Sequence, residues 1–192
     1  MVGLVLAAGA GRRMGCPKAL VADDDGPWLA RAALLPLAAG CARVLAVLGA
    51  AAEEARQLLP ADPRIVPVVA PAWASGMAAS LRAGIEAAAA LGPRPDAVLV
   101  TLVDLPSLQD EAFRKVLAGP VGPGSLRRAE YGGRPGHPVL IGRDHWAPLL
   151  AELAGDRGAG PYLAAHGAEA VDCTGLGGDL DIDLPGPQAA PG

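Results

Sequence analysis

The chain has 192 residues, of which 52% are hydrophobic and only 3% aromatic, and it carries a formal net charge of −4. This length suits one domain with a sizeable core, and the acidic balance disfavours a general nucleic-acid-binding protein. The cysteines Cys16, Cys41 and Cys173 lie far apart, which supports neither a disulfide framework nor a zinc site. We predict a single domain over residues 1–185 and a frayed tail over residues 186–192.

The chain opens with an apolar run over residues 2–6. A secretory signal carries positive charge before its apolar run, whereas Arg12 and Arg13 follow this one. The helical stretch at residues 83–91 is interrupted by Glu86, and no stretch reaches the roughly 18 uninterrupted apolar residues of a membrane helix. We therefore expect a buried first strand in a soluble, cytoplasmic protein that binds neither a membrane nor a nucleic acid.

The first apolar run leads directly into a glycine-rich loop. Gly9, Gly11 and Gly15 let backbone N–H groups converge on phosphate oxygens without a Cβ in the way. Three cationic side chains of the same loop add donors for phosphate, namely Arg12, Arg13 and Lys18. This combination favours a nucleoside triphosphate as ligand.

Two better-known phosphate-binding motifs do not match this loop. Its spacing is G-x-G-x-x-x-G, which differs from the dinucleotide fingerprint G-x-G-x-x-G. A Walker loop needs Gly before its lysine and Ser or Thr after it, whereas Lys18 lies between Pro17 and Ala19. An ordinary glycine-rich turn with solvated arginines remains the alternative interpretation.

Apolar strand-like runs alternate with alanine-rich helical stretches through the first half of the chain. Such alternation is typical of a parallel sheet covered on both faces, with functional residues beyond the carboxyl ends of the strands. We predict a Rossmann-like three-layer α/β/α fold with a mostly parallel sheet. The predicted strands are residues 2–6, 43–48, 65–69 and 97–102, and the predicted helices are residues 29–39, 52–59 and 77–91.

After Pro106 the regular alternation ends. We interpret this half of the chain as a small acceptor-side insertion on a nucleotide-binding core. Its predicted elements are a short helix at 110–117, a loop or hairpin at 128–142 that leads into a strand at 139–141, a helix at 146–153, a glycine loop at 155–160 and a strand near 168–172.

Carboxylates occur where a metal ion would be useful. Asp104 is the first acid after the apolar run at residues 97–102. A carboxylate beside a triphosphate is unfavourable unless a cation lies between them, so Asp104 is a candidate Mg²⁺ ligand, with a helix cap before Pro106 as the alternative. Near the end of the chain, three alternating acids could share a metal or form a solvated edge strand, namely Asp179, Asp181 and Asp183.

Two further segments are candidates for ligand contacts. Ser75 is the predicted N-cap of the helix at 77–91, where the first N–H groups and Ser80 could meet a base, ribose or phosphate. His137 lies in a stiff loop, where it could bind an anionic acceptor or transfer a proton, although a lone loop histidine more often does neither.

Six segments together resemble the MobA-like nucleotidyltransferases, and the molybdenum cofactor cytidylyltransferase branch is the nearest match. They occur in the order of the family and extend over most of the chain. The segments are LAAGAGRRMG at 6–15 followed by Pro17 and Lys18, then residues 73–81, DLP at 104–106, RPGHP at 134–138, GDRGA at 155–159 and DID at 181–183.

The resemblance implies transfer of a nucleotidyl group from a triphosphate to a phosphorylated acceptor, with release of pyrophosphate. It implies catalytic roles for Arg13, Lys18 and Asp104. It also implies that the nucleotide is bound by Leu6, Ala7, Ala8, Gly9, Gly11, Arg13, Lys18, Gly76, Ser80 and Asp104, the acceptor by Arg134, His137 and Asp156, and Mg²⁺ by Asp104 with Asp181 or Asp183.

The implied substrates are CTP and the molybdenum cofactor, and the implied protein partner is a molybdoenzyme or its maturation chaperone. The Ala-Ala-Gly start favours CTP, because the guanylyl branch usually has Ala-Gly-Gly there. Gly160 replaces the usual arginine and Leu184 the usual threonine, which weakens the assignment of the acceptor. The alternatives are a guanylyltransferase on the same cofactor, a nucleotidyltransferase on a sugar phosphate or other small phosphate, and a non-catalytic nucleotide- or cofactor-binding module.

Overall fold

The computed structural model describes residues 1–178, whose main feature is a seven-stranded sheet. In chain order the strands and α-helices are β1 (Val2–Ala7), β2 (Ala22–Asp23), β3 (Gly26–Pro27), α1 (Trp28–Ala38), β4 (Val44–Leu48), α2 (Ala52–Gln57), β5 (Ile65–Val69), α3 (Met77–Ala89), β6 (Ala97–Leu102), α4 (Asp110–Val116), β7 (Leu126–Tyr131), β8 (Arg134–Gly142), α5 (Trp146–Glu152), α6 (Gly160–Ala165) and β9 (Glu169–Asp172).

The strand order in the large sheet is β5-β4-β1-β6-β8-β7-β9, and β2 pairs with β3 in a separate hairpin. β1 runs parallel to both of its neighbours, β4 and β6. β8 runs antiparallel to β6 and β7, so the sheet is mixed but mostly parallel. The predicted Rossmann-like three-layer α/β/α fold is confirmed.

The side chains of β1 alternate between the two faces of the sheet. Leu4 packs in one cluster with Ile85 of α3, whereas Val5 packs on the opposite face with Leu29 of α1. A third cluster surrounds the fully buried Phe113 of α4. Because helices cover both faces, every residue of β1 is buried and the strand is a continuous apolar run in the sequence.

Most predicted elements agree with the structure, and the differences lie in short elements. The four predicted parallel strands and the three helices of the first half are confirmed to within two residues, and the predicted hairpin at 128–142 is formed by β7 and β8. The hairpin β2–β3 and helix α6 were not predicted. With six residues α6 is too short to show helical periodicity, and its only sequence signal is Pro161 in the first turn.

Some predictions fall on residues outside the described part of the chain. These are the run Asp179, Asp181 and Asp183 and the expected frayed tail at 186–192, which stay predictions. Within residues 1–178 no helix is long and apolar enough to span a membrane.

Candidate functional site

Two adjoining cavities lie at the carboxyl ends of β1 and β6. We call the first, of about 440 Å³, the charged cavity, because Arg12, Lys18, Asp104 and Asp156 are among its lining residues. We call the second, of about 410 Å³, the apolar cavity, because aliphatic side chains of the sheet and of α3 and α6 form most of its wall. The two cavities share Leu6, Met77 and Leu102, so a ligand in one lies next to a ligand in the other.

The glycine-rich loop after β1 folds back on itself. The N–H groups of Met14 and Gly15 both donate to the carbonyl oxygen of Gly11 at 2.9 Å. Gly11 has a φ of +58°, and a Cβ there would lie 1.9 Å from the carbonyl oxygen of Cys16. Glycine at this position therefore allows the loop to close. The closed loop forms a recess that includes Arg13 and continues the charged cavity past Lys18.

Lys18 and Asp104 meet at the centre of this site. Lys18 Nζ donates to Asp104 Oδ2 at 2.6 Å, and the two side chains are only 15% and 14% exposed. No helix begins next to Asp104, since α4 begins at Asp110 with Gln109 as its N-cap. The alternative interpretation of Asp104 as a helix cap is therefore wrong.

The second carboxylate oxygen of Asp104 fits a metal ligand. Oδ1 is buried and has no hydrogen-bond partner among the described residues. Within residues 1–178 no group of three or more His, Cys, Asp or Glu side chains could hold a metal ion, so further ligands would come from the terminal acids or from substrate phosphates. The predicted ligands Asp181 and Asp183 lie outside the described part of the chain.

The N-terminal end of α3 forms another wall of the charged cavity. The prediction that Ser75 caps this helix is wrong, because Ser75 belongs to a 3-10 helix (Trp73–Ser75) and its hydroxyl donates to the carbonyl oxygen of Ala72 at 2.7 Å. Gly76, with a φ of +117°, is the N-cap. Ser80 is 7% exposed and lines the cavity with Gly76, so the predicted nucleotide-contacting residues of α3 do lie beside the glycine loop.

Asp156 comes from the turn between α5 and α6 and lies against the start of α3. The N–H of Ala78 donates to the carbonyl oxygen of Gly155 at 3.1 Å, which docks this turn on the helix. A Cβ at Gly76 would lie 2.6 Å from Asp156 Oδ1. Asp156 thus lines the charged cavity and is not among the residues that line the apolar cavity.

The apolar cavity has few polar groups. Leu81, Val100 and Ile141 contribute to its wall, and Arg128 and His137 are its ionisable side chains. Arg128 Nη2 pairs with Glu130 Oε1 at 2.7 Å, which balances its charge within β7.

Of the three residues predicted on the acceptor side, only His137 lines the apolar cavity. Arg134 lies at the exposed start of β8 and lines neither cavity. Arg128 and Met77 also line the site, although neither was predicted to do so. Arg128 has no sequence signal, because the pairing of β7 with β8 places it there. Met77 lies in the segment 73–81 of the family resemblance but was not singled out there.

The chain is similar over most of its length to proteins of known sequence and structure. It is 32% identical over 193 residues to nicotine blue oxidoreductase of Paenarthrobacter nicotinovorans, a match covering 95% of this chain and 92% of the relative. Rv0371c of Mycobacterium tuberculosis H37Rv has a similar structure, with a TM-score of 0.79, 29% identity and coverage of 95% of this chain and 92% of that one.

A structure of Rv0371c in complex with manganese is also similar, with a TM-score of 0.68, 25% identity and coverage of 96% and 90%. The sequence model of the MobA-like NTP transferase domain matches residues 3–171, which is most of this chain. The glycine loop, Asp104 and the start of α3 all fall within that match. The chain therefore belongs to the MobA-like NTP transferase family.

Proposed function

We propose that this nucleotidyltransferase moves CMP from CTP to the phosphate of the molybdenum cofactor, with release of pyrophosphate. The observation that carries the proposal is the Lys18–Asp104 pair, which lies where the recess of the glycine loop meets the charged cavity. A cation and a carboxylate with an unpartnered oxygen are the groups required to hold a metal-bound triphosphate.

The chemistry needs no covalent enzyme intermediate. An oxygen of the acceptor phosphate attacks the α-phosphorus, and the bond from that phosphorus to the bridging oxygen of pyrophosphate breaks. The acceptor phosphate is already a nucleophile, so the protein has to align the two substrates and neutralise charge. The glycine loop with Arg12 and Arg13 holds the leaving phosphates, and Lys18 stabilises the charge that develops on them.

A divalent cation fits this chemistry, and Asp104 Oδ1 is the oxygen available to it in the described part of the chain. When bound, Mg²⁺ would neutralise charge on the triphosphate. The manganese in the Rv0371c complex supports a divalent metal in this family, and we propose Mg²⁺ with Asp181 or Asp183 as the second carboxylate.

The lining of the apolar cavity favours the molybdenum cofactor over a sugar phosphate as acceptor. A hydroxyl that leaves water for an apolar wall without a hydrogen bond costs roughly 1–3 kcal/mol. A sugar would place several hydroxyls against aliphatic side chains such as Leu81 and Ile141. A pterin carries its polar groups on its edge, so it can lay its ring face against the aliphatic wall, and we propose that His137 contacts the anionic part of the cofactor.

The first experiment measures pyrophosphate release with Mg²⁺ and CTP, GTP or ATP, each with and without the molybdenum cofactor. We expect cofactor-dependent release with CTP alone. Asp104→Asn keeps the size of the side chain but removes its charge, and it should lower kcat by on the order of 100-fold or more. Asp24→Asn, at an exposed acid of the β2–β3 turn, is the matched control and should retain full activity.

The other outcomes distinguish the alternatives. Release with GTP alone would indicate the guanylyltransferase, and release only with a sugar phosphate or another small phosphate would replace the acceptor. A folded protein that binds a triphosphate but turns none over with any acceptor would instead be a nucleotide-binding module.

The sequence similarity to nicotine blue oxidoreductase favours a second candidate function, the reduction of a compound of that kind. In it, a two-electron reductant bound in the charged cavity reduces nicotine blue or a similar compound in the apolar cavity, and the reductant becomes oxidised. The shared wall at Met77 would bring the two ligands together. Oxidation of the reductant that depends on nicotine blue, in a preparation that releases no pyrophosphate from any triphosphate, would replace the transferase proposal.

A further inference from the structure

Asp156 is an exposed acid that lines the charged cavity. Its turn is docked on α3 through the hydrogen bond from Ala78 to Gly155, and its carboxylate lies against Gly76. Among residues 1–178 its side chain forms no hydrogen bond or ion pair. The docked turn therefore places the exposed carboxylate at the cavity wall, where its oxygens can accept hydrogen bonds from a ligand.

The charges of the cavity orient a triphosphate. Arg12 and Lys18 attract the phosphates towards the glycine loop, and the recess beyond Lys18 extends this positive region. Asp156 repels phosphate from the start of α3 by the same electrostatic rule. A triphosphate oriented in this way would direct its neutral nucleoside towards Asp156.

An ionised carboxylate is an acceptor only, so its partners are O–H or N–H donors. A nucleoside offers two kinds, the ribose hydroxyls and the amino group of the base. We propose that Asp156 is a specificity-determining residue that binds the nucleoside through these neutral donors and does not bind the acceptor substrate. The proposal rests on the proposed nucleotide site.

Nucleotide binding without acceptor tests the inference directly. Trp73 lines the charged cavity, whereas Trp28 and Trp146 are buried in the core, so quenching of tryptophan fluorescence reports on occupancy. The ligands are the Mg²⁺ complexes of CTP, 2′,3′-dideoxy-CTP and UTP. Asp156→Ala should weaken CTP binding by about 10- to 100-fold, the range for one or two hydrogen bonds to a charged group.

The ligand series shows which donor Asp156 binds. If it binds the ribose, the preference of the wild type for CTP over the dideoxy analogue disappears in Asp156→Ala. If it binds the base, the preference for CTP over UTP disappears instead. Asp156→Asn keeps the size of the side chain and should give an intermediate loss, which guards against misfolding of the alanine variant.

Arg157→Ala is the matched control, because Arg157 lies in the same turn but lines neither cavity. It should bind CTP like the wild type. Unchanged CTP affinity in both Asp156 variants, or a change confined to the KM for the acceptor, would overturn the inference while leaving the proposed function intact. A wild type that binds no triphosphate would overturn both.

Discussion

Replacing Gly11 by alanine tests whether closure of the glycine loop creates the phosphate site. The φ of +58° at this residue costs a side chain with a Cβ about 1–2 kcal/mol. The new Cβ would also lie 1.9 Å from the carbonyl oxygen of Cys16, where real Cβ contacts stay above 3.0 Å. The loop must therefore open by roughly 1 Å, and a displacement of that size at a reaction site costs on the order of 100-fold in rate.

We expect kcat/KM for the triphosphate to fall about 100-fold, with triphosphate binding weakened in the Trp73 fluorescence assay. The melting temperature should fall by only roughly 2–8 °C, because the strain is confined to the loop. Gly15→Ala is the matched control, since Gly15 has a φ of +79° but no atom within 4 Å of an added Cβ. Equal losses of triphosphate affinity in the two variants, or normal binding by Gly11→Ala, would refute the reasoning. Either result would show that the contact between the new Cβ and the carbonyl oxygen of Cys16 does not weaken binding.

Three further predictions concern the core, the thiols and the acid limit of stability. Phe113→Ala should lower the free energy of unfolding by about 3–5 kcal/mol in urea titrations, because Phe113 is fully buried. A thiol reagent should label the exposed Cys16 in the native protein but Cys41 only after unfolding, because burial raises the pKa of the Cys41 thiol to about 12. Peptide mapping of the labelled protein would show which cysteine has reacted. The hydrogen bonds from Arg31 lower the pKa of Asp23 to about 2 from its ordinary 3.8, so their stabilisation is present above pH 3.8 and is lost as the pH falls through 2. Asp23→Asn should therefore flatten that part of the stability–pH curve, and an unchanged curve would show that the pair contributes nothing.

The strands of the first half were predictable because each is an apolar run that carries its own signal in the sequence. Residues 65–69 and 97–102 are β5 and β6 to the residue, because a charged residue, Arg64 or Asp96, marks the start of each apolar run. β6 is buried along most of its length, whereas β5 lies at the edge of the sheet and exposes Val69. The same reasoning located Lys18 and Asp104, because each follows the end of such a strand.

The errors and omissions concern two kinds of residue. Some are placed by tertiary contacts, and others have a side chain that chooses between alternative hydrogen-bond partners nearby in the chain. Ser75 has the residue type of an N-cap, but the 3-10 turn before it offers its hydroxyl a nearer acceptor at Ala72. Asp156 follows β6 by more than fifty positions, and only the docking of its turn on α3 brings it to the charged cavity. No property of residues 155–160 indicates that contact, and the acceptor-side role that the resemblance implied for Asp156 stays a prediction.

The position of both cavities follows from one reversal in the strand order. The chain proceeds from β1 outward to β4 and β5, then returns to place β6 on the other side of β1. Loops after β1 and β6 consequently diverge, which opens a crevice between them. Since Leu6 is in register with Leu102, both loops begin at the same level, and Lys18 meets Asp104 although 86 positions separate them. Because β8 lies antiparallel beside β6, Val139 and Ile141 extend the same crevice as an apolar wall, so the charged site and the apolar site have to be neighbours.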